Sequence, residues 1–145
     1  PTSPAREPSD ISGALRRWSD RPEADGVIGV SQPDFSPIWH CVVARDGWMA
    51  NLYEQGARYE RRKDVPVIYR INGSLYLWRA EFVRSQEGET WRQDGRHLLY
   101  EIPESRAMSI DTSEQFERAE LLVKSGFIRF PWLAAVRSAE CGVRN

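Results

Sequence analysis

The spacing of apolar positions in the first third of the chain predicts one helix followed by short strands. Pro8 suits the first position of a helix, and an apolar face at helical spacing follows it, formed by Ile11, Ala14, Leu15 and Trp18. A continuous apolar run at 27–30 predicts a strand that is buried on both faces. A strand at 39–44, a turn at 45–47 and a returning strand at 48–53 together predict a hairpin.

The second half of the chain continues the alternation of strands and helices. The predicted elements are strands at 67–69, 74–78, 98–102 and 107–110, a short helix at 80–85 and a polar loop at 86–95. A longer helix follows Thr112, because Gln115 three positions later completes a capping box and Gly126 provides a stop. Its apolar face consists of Phe116, Ala119, Leu122 and Val123.

This order of elements predicts the α/β fold class. A length of 145 residues is typical of a single domain, which we expect to span residues 1–133, with a tail at 134–145. The segment at about 36–66 contains a polar, highly charged stretch, so we expect it to project from the domain as an excursion.

Charge and cysteine content narrow the classes of function. A formal net charge of −1 provides no field that would attract a nucleic acid polymer or an anionic membrane, and no apolar run approaches the roughly 20 residues that span a bilayer. No export leader is expected ahead of the first helix. Cys41 and Cys141 are too far apart in sequence to indicate a zinc site or a disulfide framework, so a cytoplasmic setting is expected.

Three kinds of residue suggest chemistry, and each has a purely structural alternative. Arg62 and Arg70 could pair with carboxylate or phosphate oxygens through their planar guanidinium groups, or they could belong to a solvated basic loop. The pair Asn72-Gly73 is the favoured sequence of a type I′ hairpin turn. Asp111 lies just before the last predicted helix, where a carboxylate is favourable in any protein.

Three segments in a fixed order carry a family resemblance. They are Pro-Thr-Ser-Pro-Ala-Arg at 1–6, Arg-Arg-Lys-Asp-Val-Pro at 61–66 leading into Tyr-Arg-x-Asn-Gly at 69–73, and Ser-Ile-Asp-Thr at 109–112. Together they resemble the distal half of the acylneuraminate (CMP-sialic acid synthetase-like) cytidylyltransferases, from Pro1 to about Val123. The resemblance implies a Rossmann-like, nucleotide-diphospho-sugar-transferase-like sheet of three layers, with a protruding dimerisation excursion.

The resemblance also implies a reaction and its participants. Members of this family transfer CMP from CTP to a nonulosonic, sialic-acid-like sugar acid and release pyrophosphate, with Mg²⁺ as the cofactor. By this likeness Arg62 and Arg70 belong near the anionic substrates, and Asn72 near the sugar, with Gly73 allowing close backbone approach. Asp111 matches the second acid of the family's metal-binding Ile-Asp-x-Asp-Thr stretch, whereas Ser109 stands in place of the first acid.

A homodimer is expected by the same likeness. The Gly-rich basic phosphate loop near the family's N-terminus has no counterpart in these residues, so the chain is expected to be a fragment, and its activity alone is left open. Two other functions are kept: a non-catalytic binding or dimerisation module built around residues 53–65, and a relative acting on another nucleotide or keto-deoxy sugar acid.

Overall fold

The computed structural model describes residues 2–86 and 90–130, in which strands and helices alternate. The strands are β1 (Gly26–Ser31), β2 (Val42–Arg45), β3 (Trp48–Asn51), β4 (Arg70–Trp78) and β5 (His97–Glu101). The helices are α1 (Pro8–Ser19), α2 (Pro37–His40), α3 (Ala80–Ser85), α4 (Trp91–Asp94) and α5 (Ser113–Lys124), and single 3-10 turns lie at Glu54–Arg58 and Arg62–Asp64. The predicted α/β class is therefore confirmed, and the three-layer Rossmann-like arrangement stays a prediction.

The main sheet has three strands in the order β4-β1-β5. The central strand β1 runs antiparallel to β4 and parallel to β5, and all six of its residues are buried. This burial confirms the buried strand predicted at 27–30. Its cause is the position of β1, which has a neighbouring strand on each side and α1 packed on one face.

Helix α1 packs on the sheet through a narrower face than its sequence predicts. Ala14 is fully buried, but Ile11 is 39% and Leu15 48% exposed. The aromatic ring of Tyr100 lies so close to Gly13 that a side chain there would collide with it. The helix itself is confirmed, whereas the four-residue apolar face is only partly right, because close approach at Gly13 leaves Ile11 and Leu15 at the margins of the contact.

A charged side chain at the start of α1 joins this helix to the segment that follows β5. Asp10 is 2% exposed and accepts two hydrogen bonds from Arg106, at 2.7 and 2.9 Å. It also accepts a bond from the backbone N–H of Glu7 at 2.8 Å. Partial burial lowers the pKa of Arg106, but the hydrogen bonds and negative charge of Asp10 outweigh it, so that the pKa lies above its ordinary value.

The excursion forms a small sheet of its own. Strands β2 and β3 pair antiparallel with each other and with no strand of the main sheet, and the turn between them confirms the predicted hairpin. The strand predicted at 39–44 is wrong in its first part, because α2 occupies residues 37–40 and β2 begins at Val42. Pro37 accounts for the difference, since its fixed φ favours the first turn of a helix.

Three further predictions concern the C-terminal half of the chain. Helix α5 and its capping box are confirmed, with Thr112 and Gln115 bonding reciprocally at its start. The strand predicted at 107–110 is wrong: the N–H of Ala107 bonds back to the carbonyls of Pro103 and Glu104 and closes a turn at 104–106, and residues 107–110 form no strand. The polar loop at 86–95 contains the short helix α4, while residues 87–89 and the predicted boundary at residue 133 lie outside the described residues.

Candidate functional site

One edge of the main sheet gathers most of the residues that the sequence singles out. The carboxyl ends of the parallel strands β1 and β5 lie at this edge, and Arg70, the first residue of β4, pairs in register with Ser31, the last residue of β1. Open α/β sheets bind ligands at the carboxyl ends of their strands. This edge is therefore where a substrate cleft is expected.

A cleft of about 660 Å³ opens beside Arg70. One wall is a face of α5, on which Gln115, Arg118, Ala119 and Leu122 follow one another at helical spacing. Arg70 and Glu104 also line the cleft. The remaining lining residues are Asp34, Ser105, Ala107, Met108, Ser109 and Phe127. The cleft is thus polar at the N-terminal end of α5 and apolar towards Leu122.

Arg70 is held inside this cleft by an ion pair. Its guanidinium donates to the Glu104 carboxylate at 2.8 Å, with the two side chains 43% and 40% exposed. Solvent screens a pair this exposed, so the interaction is worth about 1 kcal/mol or less. An incoming anion can therefore compete with Glu104 for the guanidinium at small cost.

Arg62 contacts the loop that follows β1. Its guanidinium donates to the backbone carbonyl of Asp34 at 3.3 Å, and it borders a smaller pocket of about 160 Å³ with Ser36 of that loop and Trp39 of α2. Asp34 itself lines the larger cleft. Arg62 and Arg70 therefore line separate cavities, and residues of the loop after β1 border both of them.

Asn72 is buried and bonded inward. It is 4% exposed; its amide donates to the Ser31 hydroxyl at 3.0 Å and accepts from the Ser74 N–H at 3.0 Å. The Ser31 hydroxyl in turn donates to the carbonyl of Ile102 at 2.6 Å. This chain of bonds links all three strands of the main sheet at the edge where the cleft opens. At 4% exposure the amide of Asn72 offers little surface for direct contact with a sugar.

Of the two interpretations of Asn72-Gly73, the hairpin turn is wrong, because β4 continues through both residues. The register changes between the pairs Ile28–Tyr76 and Val30–Ile71, so that Gly29 alone faces residues 72–75 of β4. The Asn-Gly pair therefore forms a bulge within one strand. Gly73 adopts φ +73 there, and a Cβ added to it would meet no atom within 4 Å. Its backbone is exposed and open to close approach.

Asp111 lies at the rim of the cleft. Its carboxylate is exposed and accepts from the hydroxyl of Ser109, a cleft residue, at 2.8 Å. The backbone N–H of Asp111 donates to Gln115 at 2.6 Å, which fixes the approach to α5. Within residues 2–86 and 90–130, no group of three or more His, Cys, Asp or Glu side chains converges as a metal site. One carboxylate beside one hydroxyl suits an ion that takes most of its ligands from water and phosphate, as Mg²⁺ does.

Sequence reasoning identified part of this arrangement and missed the rest. The structure brings Arg70, Ser109 and the neighbouring Asp111 to one cleft, whereas Arg62 lines a separate cavity. It also places Arg118 and Gln115 on the wall, and neither had been considered as a site residue. The spacing of Gln115, Arg118, Ala119 and Leu122 on one helical face was the available signal.

The described helices are also too short or too polar to cross a lipid bilayer.

Comparison with known proteins gives one distant relative, and no protein-family profile matches the chain. The chain is 23% identical over 123 residues to the post-translational flagellin modification protein B of Campylobacter coli. The alignment covers 85% of this chain and 50% of the relative, so the chain spans about half the length of the curated relative that it matches. At this level of identity the chain is a distant relative of a flagellin modification protein.

Proposed function

We propose that this chain is the distal part of a nucleotidyltransferase of the acylneuraminate cytidylyltransferase type. The observation that carries the proposal is the cleft at the carboxyl edge of the sheet, where Arg70 and Ser109, with Asp111 beside it, come together from distant parts of the sequence. The likeness to a flagellin modification protein suits an enzyme that activates a sugar for attachment to protein. CTP, a nonulosonic sugar acid and a cytoplasmic setting are part of the proposal.

The reaction joins the anomeric hydroxyl of the sugar acid to CMP. The hydroxyl oxygen attacks the α-phosphorus of CTP, the bond from that phosphorus to the bridging oxygen breaks, and pyrophosphate leaves while the hydroxyl proton passes to a base. When bound, Mg²⁺ neutralises charge on the phosphates. Asp111 would hold the ion, and Arg62 and Arg70 would bind anionic groups of the substrates. The exposed backbone at Gly73 would approach the sugar, with Asn72 holding the bulge in shape.

Mg²⁺-dependent binding of CTP tests this function. We expect calorimetry to show CTP binding that requires Mg²⁺, and Arg70→Gln to weaken that binding roughly tenfold through loss of a charge-assisted hydrogen bond. Asp111→Asn should weaken the Mg²⁺ dependence, and Ser109→Asp, which restores a second acid, should lower the Mg²⁺ concentration required. Asp46→Asn, at the exposed hairpin turn, is the matched control and should change neither quantity.

Product formation provides the second measurement. Pyrophosphate release and a CMP-sugar from CTP, Mg²⁺ and N-acetylneuraminate would show that these residues are active on their own, and a panel with other nucleotides and a keto-deoxy sugar acid identifies the preferred pair. A chain that binds no nucleotide and forms no product with any member of the panel contradicts the proposal.

A non-catalytic dimerisation module is the second candidate, and the excursion favours it. Large apolar side chains are exposed on and just after the β2–β3 hairpin: Val42, Trp48, Met49, Leu52 and Tyr53. Apolar surface of this kind marks an interface in many proteins. The proposed partner is a second copy of this chain, and self-association without binding of CTP would support the module over the enzyme.

A further inference from the structure

The cleft beside Arg70 contains a second guanidinium whose position suggests a role in substrate binding. Arg118 projects from α5 on the face that also presents Gln115, Ala119 and Leu122 to the cleft. Arg70 and Glu104 line the same cleft. The two arginines therefore border one cavity, although 48 positions separate them in the sequence.

The two guanidinium groups differ in whether a carboxylate of the protein is paired with them. Arg70 is paired with Glu104 at 2.8 Å. Within residues 2–86 and 90–130, Arg118 makes no hydrogen bond and no ion pair, although Glu114 lies one helical turn before it. An anion that enters the cleft can bind Arg118 without displacing any carboxylate.

Gln115 adds a neutral donor one turn before Arg118. Its side-chain oxygen accepts from the backbone N–H groups of Asp111 and Thr112, at 2.6 and 3.0 Å. These bonds fix the side chain and use its oxygen, so the amide NH₂ group keeps its two donors for a ligand. A fixed amide donor and an unpaired guanidinium on the same wall are complementary to an oxyanion.

We propose that Arg118 is a substrate-binding residue of this cleft and binds a carboxylate or phosphate oxygen, with Gln115 as a second donor. The proposal rests on the proposed function, because it takes the cleft to be the substrate site. Arg118 would engage the anion first, and the exposed Arg70–Glu104 pair would then open as the anion reaches Arg70. The planar guanidinium of arginine can bind two oxygens of a carboxylate or of a phosphate. Both the sugar-acid carboxylate and the nucleotide phosphates are therefore possible ligands of Arg118.

Calorimetric titration with three separate probes tests the proposal: CTP with Mg²⁺, N-acetylneuraminate, and inorganic pyrophosphate. Arg118→Gln should weaken at least one of them about tenfold, as expected when one charge-assisted hydrogen bond is lost. Arg118→Lys should recover part of the loss, because it restores the charge without the fork. Arg16→Gln removes an exposed arginine from α1, away from the cleft, and should leave all three affinities unchanged. Arg118 is itself exposed, so its variants should fold normally.

The pattern of results separates the two proposals. If Arg118→Gln weakens only the binding of N-acetylneuraminate, Arg118 binds the carboxylate. If it weakens the binding of both CTP and pyrophosphate, Arg118 binds phosphate. If pyrophosphate binds in an Arg118-dependent way but neither CTP nor any sugar acid binds, the anion site stands and the proposed transferase function fails. If CTP or N-acetylneuraminate binds the unaltered chain, and the Arg118→Gln and Arg16→Gln variants have the same affinity for every probe, Arg118 is not a substrate-binding residue. Failure of the unaltered chain to bind any of the three probes overturns both proposals.

Discussion

Arg106 donates two hydrogen bonds to the carboxylate of Asp10, at 2.7 and 2.9 Å, across 96 positions of sequence. The same guanidinium lies 3.3 Å from the carboxylate of Glu7. This ion pair fastens the start of α1 to the segment between β5 and the cleft residues Met108 and Ser109. The geometry of the cleft therefore depends on a contact that lies outside it.

Breaking the Asp10–Arg106 pair should destabilise the fold. Asp10→Asn removes the nearer of the two carboxylates that pair with Arg106 and leaves only Glu7 at 3.3 Å. We expect this to cost about 2–3 kcal/mol, below the full cost of a broken buried pair, because Arg106 keeps Glu7 and some contact with water. Urea denaturation of the variant measures the change in the free energy of unfolding. Arg106→Gln should have a similar effect, and the double variant should lose less than the sum of the two.

The exposed pair Glu120–Lys124 on α5 is the control for this prediction. Its atoms are 2.9 Å apart, and both side chains are at least half exposed. Glu120→Gln should cost about 0.5 kcal/mol or less. Equal losses for Asp10→Asn and Glu120→Gln would show that the Asp10–Arg106 contact has no special role.

Asn72 and Ser74 are both buried in β4, but their side chains should contribute very differently to stability. Asn72→Ala removes the bonds to Ser31 and to the Ser74 N–H, which leaves that buried N–H unpaired, while the Ser31 hydroxyl keeps its bond to Ile102. The substitution should cost about 1–3 kcal/mol. The Ser74 hydroxyl is buried with no hydrogen-bond partner in the described residues. Ser74→Ala should therefore change the free energy of unfolding by about 0.5 kcal/mol or less, or stabilise the protein.

Thermal and urea denaturation of these two variants provide the measurement. A Ser74→Ala variant that is as unstable as Asn72→Ala would mean that the Ser74 hydroxyl is bonded in solution. A loss of only about 0.5 kcal/mol for Asn72→Ala would contradict the chain of bonds from Asn72 to Ile102 as the element that stabilises the bulge.

Trp48 should control self-association if the excursion is a dimer interface. Its side chain is 79% exposed, so Trp48→Glu should leave the fold intact while placing a charge in the apolar surface of the hairpin. Light scattering should show a dimer for the unaltered chain and a monomer for the variant. Leu121→Glu, at a 67% exposed apolar position on α5, is the matched control and should remain dimeric.

Either of two results would contradict the proposed dimer. A monomeric mass for the unaltered chain at high protein concentration excludes stable pairing through the hairpin. A dimer that persists in Trp48→Glu but dissociates in Leu121→Glu would move the interface to α5.

Local sequence signals were sufficient to predict α5 and β1. The capping box of Thr112 and Gln115 satisfies backbone groups within a few residues, and Gly126 adopts the positive φ of +76 that ends such a helix. The run at 27–30 is apolar throughout and occupies the centre of the sheet. Contacts between sequence neighbours stabilise the start and end of α5, and burial of apolar side chains stabilises β1. The local sequence pattern is therefore enough to identify both elements.

The sequence alone also yielded the α/β class and the residue types suited to binding anions, but the tertiary structure decided where they act. Asn-Gly favours a hairpin locally, yet the ladder between β1 and β4 extends on both sides of it, and those long-range bonds outweigh the preference of two residues. The pairing of Arg70 with Glu104, and the presence of Arg118 in the same cleft, depend on how β4, the turn after β5 and α5 pack together. Contacts between residues that lie far apart in the chain arise from packing, which no short-range pattern encodes.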